Sequence, residues 1–111
     1  MVLRQYSSDK YPFNCDFYIK SLDLYIECNF HWTHGGHFFD ASNLDDQVKV
    51  QKWKDKGTKF YDNAIKTWTV RDLKKCQTAL DNSLNYLVFW SMQEFLNWIQ
   101  QLPEVNKTIT T

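Results

Sequence analysis

Side-chain character alternates along Asp16-Phe17-Tyr18-Ile19 and again along Leu24-Tyr25-Ile26-Glu27-Cys28-Asn29. A period of two marks half-buried strands. Asp16 and Tyr18 therefore share one face of the first strand, with Phe17 and Ile19 on the other. On the second, Tyr25, Glu27 and Asn29 oppose Leu24, Ile26 and Cys28. Lys20-Ser21-Leu22-Asp23 carries the turn between them. Val2-Leu3-Arg4-Gln5-Tyr6 suits an edge strand, Ser7-Ser8-Asp9-Lys10 a turn, and Pro12 holds Tyr11 extended. After the hairpin comes His31-Trp32-Thr33-His34-Gly35-Gly36-His37, whose glycines suit a loop.

The period then lengthens. A helix is expected over 45–56, capped by Asn43, opened by Asp45 and Asp46, and stopped at Gly57. Its apolar stripe is thin, which places it at the periphery. Residues 60–68 read as a short helix or an irregular packed segment. Thr69-Val70-Arg71-Asp72 has the spacing of a capping box and opens a helix with an apolar face of Val70, Leu73, Cys76, Ala79 and Leu80. Leu84 to Trp90 is the continuous apolar run of a buried parallel strand, reached by a crossover. Ser91-Met92-Gln93-Glu94 is a second capping box, with Trp90 and Phe95 placed as a staple. Met92, Phe95, Leu96, Ile99 and Leu102 form its core stripe. Pro103 ends it, and 104–111 is expected to fray. The order is that of an α/β fold: a small mixed sheet, with an N-terminal antiparallel hairpin and a parallel crossover strand, flanked by helices.

With 111 residues, 43% of them hydrophobic and 17% aromatic, the chain is expected to form a single domain with a real core. Zero net charge removes any global basic field. Contact with nucleic acid then falls to local patches, Lys49, Lys52, Lys54, Lys56 and Lys59, or Arg71, Lys74 and Lys75. The default reading of the lysines is a solvated helix face. Three cysteines, Cys15, Cys28 and Cys76, lack close pairing and fit a reducing cytosol. The first residues lack the apolar run of a signal peptide, and no stretch nears the roughly 18–20 apolar residues of a membrane span.

The candidate chemistry sits in the hairpin and the loop after it. Two carboxylates on one hairpin face, Asp16 and Glu27, make a hard oxygen site suited to Mg2+; the bland alternative is a surface hairpin with two exposed acids. His31, His34 and His37, spaced by three, admit a zinc site, which the intervening glycines oppose. Of the tryptophans, Trp32 is the one placed to stack on a base, since it lies inside the loop.

An acid, ten residues, then Glu-x-Asn resembles the core of the PD-(D/E)xK nucleases, with Asn29 where they carry lysine. From Asp16 to Trp90 the landmarks resemble the very-short-patch-repair-like endonuclease branch, which includes phage-borne homing endonucleases. They are Asp16-Phe17 opening the hairpin, His34 after the return strand, and Asp72 eighteen residues before Trp90. The resemblance implies a restriction-endonuclease-like fold and a metal-dependent DNA endonuclease that uses Mg2+ or Mn2+ on double-stranded DNA, in a phage-encoded or bacterial cytosolic setting. It implies Asp16 as the central metal ligand, Glu27 as a further ligand through water, His34 as general base or acid, and Asp72 as its orienting partner. The family's additional Glu, on a helix before the first strand, has no counterpart among the fifteen residues ahead of Asp16. That leaves three alternatives: Glu27 substitutes, the chain is a piece of a longer one, or the fold persists as a catalytically impaired DNA-binding or interaction module. Thr69 also offers Asp72 a plainer role, capping its own helix.

Overall fold

The computed structural model describes residues 1–102. Its elements run β1 (Val2–Ser8), β2 (Tyr11–Ile19), β3 (Leu24–Cys28), α1 (Leu44–Asp55), α2 (Lys59–Lys66), a π-helical segment (Thr67–Arg71), α3 (Asp72–Asp81), β4 (Asn85–Phe89) and α4 (Met92–Gln100). Short 3-10 turns lie at Lys20–Leu22 and Trp32–His34. The architecture is mixed α/β. The chain divides into two compact units, one of residues 1–30 and those from 77 on, the other of His31–Cys76.

In the first unit the strands lie in sequence order. β1–β2 and β2–β3 are antiparallel, and β3–β4 is parallel. A parallel neighbour cannot be reached by a tight turn, so the long segment between β3 and β4 is the crossover. Alternation sorts Phe17–Ile19 and β3 as the sequence implies, but the period breaks at Asp16. Cys15 joins the tyrosine face with Tyr18, and Phe17, two residues on, packs on the other. Asp16 lines a pocket with Phe17 and Cys28 rather than sharing the face of Tyr18. Ile19, Leu24, Ile26 and Phe89 pack with Phe95 and Ile99 of α4, and Phe17 stacks on Phe95 with centroids 5.8 Å apart. Full burial of such side chains contributes about 1.5–3 kcal/mol each. The opposite face is a tyrosine cluster, Tyr11 and Tyr25 with Tyr6, Tyr18 and Tyr86, closed by Ala79 of α3. β2 begins five residues before Asp16. Pro12 is tolerated there because the β2–β3 ladder covers only Phe17–Ile19 and asks nothing of its missing N–H.

Helix α4 is capped as expected, with Ser91 Oγ accepting from the Glu94 N–H and Glu94 accepting from the Trp90 N–H. Its buried stripe is narrower than the sequence suggests. Phe95 and Ile99 are buried, whereas Met92 and Leu96 are exposed, and Trp98 packs on Phe89 instead. Pro103 as a helix stop, and the tail after it, lie outside the described residues.

The second unit is built on Trp68, fully buried within the π-helical segment. Its ring packs on Phe39 and Trp53, and its Nε1 donates to the His37 carbonyl at 2.7 Å. Gly35 sits at φ +74, and a Cβ there would overlap the Trp68 indole. Asn43 caps α1 and Thr58 caps α2 through their side chains. Of residues 60–68, left open by the sequence, 60–66 lie in α2 and Thr67 and Trp68 in the π-helical segment that follows it. The Thr69 capping box does not form. Thr69 lies inside a continuing helix and its Oγ1 bonds back to the Ile65 carbonyl at 2.7 Å, so Asp72 is not an N-terminal cap. Val70 and Leu80, assigned to the apolar face of that helix, are exposed.

Candidate active site

In the first unit, the β2–β3 ladder runs to Phe17↔Ile26 and then passes to side chains. The Asp16 N–H donates to Glu27 Oε1 at 3.2 Å, and the Cys28 N–H donates to Asp16 Oδ2 at 2.7 Å. The Cys15 thiol reaches the carbonyls of Phe17 and Ile26 at 3.0 and 3.2 Å. Two carboxylates thus hold the fork where the strands part, satisfying backbone donors that the ladder leaves over. Opposite this point on β1, Gln5 adopts φ +50, an uncommon conformation for a non-glycine residue.

Glu27 and Asp16 differ in what they leave available. Glu27 is 3% exposed, and its second oxygen accepts from the Tyr11 hydroxyl, itself paired with the Tyr86 hydroxyl at 3.0 Å. Burial first, and then the bond to Glu27, push the Tyr11 phenol well above its ordinary range. Asp16 uses one oxygen on Cys28 and lines a pocket of about 370 Å³ with Arg4, Gln5, Phe17 and Cys28. Burial, followed by the neighbouring Asp16 and Glu27, pushes the Cys28 thiol up to about 12. Cys15 is likewise pushed up to about 12, by burial and then Glu27. Both thiols are neutral at physiological pH and are not thiolate nucleophiles.

These contacts test the fit of a hard cation. Mg2+ keeps several waters and takes one or two carboxylates plus substrate phosphate. Asp16 meets that need with its uncommitted oxygen. Glu27 does not, because protein donors occupy both its oxygens and bury it. Its expected role as a ligand gives way to that of a plug in the sheet. Asn29, where the resembling nucleases carry lysine, is buried, and its N–H donates to the Phe89 carbonyl at 2.8 Å. Among the described residues no three His, Cys, Asp or Glu side chains are grouped to hold a metal.

In the second unit the three histidines find separate partners. His31 Nδ1 lies 3.0 Å from Thr33 Oγ1. His34 Nδ1 lies 2.7 Å from Asp72 Oδ2, with side-chain exposures of 21% and 3%. His37 Nε2 donates to both oxygens of buried Asp46, at 2.8 and 3.0 Å. This separation argues against one zinc centre on the three rings. Trp68 and Asp72, four residues apart on one helical face, both meet the histidine loop. Lys49 joins them, donating to the Gly35 carbonyl at 3.1 Å and lying over the Trp68 ring. With Nδ1–H given to Asp72, the His34 Nε2 carries the lone pair, and among the described residues nothing bonds to it.

Of the sequence-derived candidates, the structure joins Asp16 to Glu27 in one unit and His34 to Asp72 in the other. It adds Tyr11, His37, Asp46 and Trp68. Asp46 looked like a helix-dipole acid, and no local spacing tied it to His37. The second unit also carries a charge bias hidden by the neutral total. Residues 31–76 hold nine Lys and Arg against six Asp, two of which are buried on histidines. Lys52, Lys54, Lys56 and Lys59 are exposed, and Trp32, 42% exposed, packs among Trp53, Phe60 and Tyr61.

Compared with known protein families, characterised proteins and solved structures, the chain matches none. No helix among the described residues is long and apolar enough to cross a membrane.

Proposed function

We propose that the chain is a DNA endonuclease that hydrolyses phosphodiester bonds, with His34 of the second unit as the proton-transferring group and Asp72 as its positioning partner, and, in the first unit, Asp16 as a metal-holding carboxylate. The observation that carries this reading is the 2.7 Å His34–Asp72 pair, a buried carboxylate on an imidazole whose other nitrogen is uncommitted. Asp72 fixes the tautomer and orients the ring while Nε2 takes a proton from the attacking water, leaving an imidazolium. The same imidazolium can then protonate a leaving oxygen. A positioned acid–base group of this kind contributes about 10²–10⁴-fold to rate. Asp16 would hold Mg2+ or Mn2+, which when bound supplies Lewis-acid charge and a more acidic water. The exposed lysines of α1 and Trp32 are the proposed contacts to the double-stranded DNA backbone and bases.

The test is nicking of supercoiled plasmid in Mg2+ by the parent, His34→Ala and Asp16→Ala. Both variants are expected to lose at least about 100-fold in rate. Equal cleavage by all three would remove the assignment. A second reading, a DNA-binding or interaction module on the same fold without catalysis, is favoured by the commitment of both Glu27 oxygens to protein donors. A parent that binds DNA but never cuts it supports that reading instead.

A further inference from the structure

The pocket beside Asp16 contains an unused cation. Arg4 lines it, paired in register with Phe17 on the neighbouring strand, and its guanidinium lies 5.9 Å from the Phe17 ring centroid. Among the described residues Arg4 has no ion-pair partner, although the Asp16 carboxylate lines the same pocket. It is also the pocket's one cationic lining residue. That contact is at the outer reach of a cation–π interaction and leaves the N–H fork open. Next to it Gln5 is held at φ +50, which turns the edge strand at the pocket's lip. Such unfavourable conformations cluster at ligand-binding positions. Phe17 supplies an apolar wall.

We infer that this pocket is an anion site in which Arg4 grips a phosphate group, taking the non-bridging oxygens in a bidentate fork. The ligand class rests on the nuclease reading; the site itself rests on the pocket. For a phosphodiester the consequence is division of labour. Arg4 on β1 neutralises the phosphate, and Asp16 on β2, lining the same pocket, would hold the hydrated cation. Asn29, buried and uncharged, cannot supply that neutralisation. Arg4 is then a substrate-positioning residue.

The test uses inorganic phosphate as probe and backbone amide shifts as readout, at constant ionic strength against chloride. In the parent, phosphate is expected to move the Gln5, Asp16 and Cys28 amides saturably, and chloride is not. Arg4→Ala is expected to weaken that binding about tenfold or more, with Arg4→Lys intermediate because a point charge replaces the fork. Arg4 is exposed, so both variants are expected to keep the parental circular dichroism. A parallel nicking assay separates the two ideas. Phosphate binding lost in Arg4→Ala, with no cleavage by any protein, overturns the nuclease reading and keeps the site. Unchanged phosphate shifts in Arg4→Ala, or parental kcat and KM in that variant, overturn the site.

Discussion

Tyr11→Phe removes one oxygen and little volume, so its cost reports the hydroxyl's bonds to Glu27 and Tyr86, and the cycle with Glu27→Gln separates the first. In the parent that hydroxyl donates to a carboxylate that is 3% exposed, while the other carboxylate oxygen is held by the Asp16 N–H. A hydrogen bond to a charged group is worth about 1.5–3 kcal/mol, and water cannot replace it at this depth. The expected loss is about 2 kcal/mol, which lowers Tm by roughly 8–10 °C in a chain of this size. In a Glu27→Gln background the buried charge is gone, so the same change is expected to cost only about 0.5–1.5 kcal/mol. The double-mutant cycle should therefore show coupling of about 1 kcal/mol. Urea unfolding followed by far-UV circular dichroism measures all four proteins. A Tyr11→Phe protein within about 0.5 kcal/mol of the parent, or one equally costly in both backgrounds, would refute the view of Glu27 as a plug held by protein donors.

Gly35→Ala is expected to destabilise by about 2–4 kcal/mol, because its methyl meets the Trp68 ring and its backbone is left-handed; thermal melts check this, and a melt matching the parent contradicts the packing. Cys15 stays protonated to about 12 when folded and ionises near its ordinary value when unfolded. The folded state then holds the extra proton, so stability is full below about pH 8.5 and falls as pH rises towards 12, by up to about 1.4 kcal/mol per pH unit. Cys28, partly solvated, adds less. Urea midpoints from pH 8 to 10 are expected to fall less steeply in Cys15→Ala/Cys28→Ala, and an identical slope counts against the buried thiols as its source.

The sheet was legible because its signals are local. Alternation from Phe17 to Ile19 and along β3 gives the faces, though not at Asp16, where the period breaks. The apolar run before Trp90 gives the parallel strand, and Ser91 with Glu94 starts α4. The site was legible in part for the same reason. A loop histidine and an acid thirty-eight residues apart could be named, but Thr69 offered Asp72 a plainer partner. Thr-x-x-Asp has the same spacing inside a continuous helix, where the hydroxyl bonds back a turn, and only the π-helical segment decides between the two. The sequence points to Glu27 as a ligand because the Tyr11 hydroxyl that holds it lies sixteen residues away across the sheet. Neutral total charge likewise concealed the lysine-rich second unit, since its balance depends on which acids are buried.

The proton-transferring role of His34 is tested most directly by chemical rescue. Single-turnover DNA cleavage is measured for the parent and for His34→Gly, without and with imidazole in the buffer. Loss of about 10²–10⁴-fold, partly restored by imidazole with a pH dependence that follows the added base, is the expected result. Parental cleavage by His34→Gly in buffer free of imidazole would contradict it.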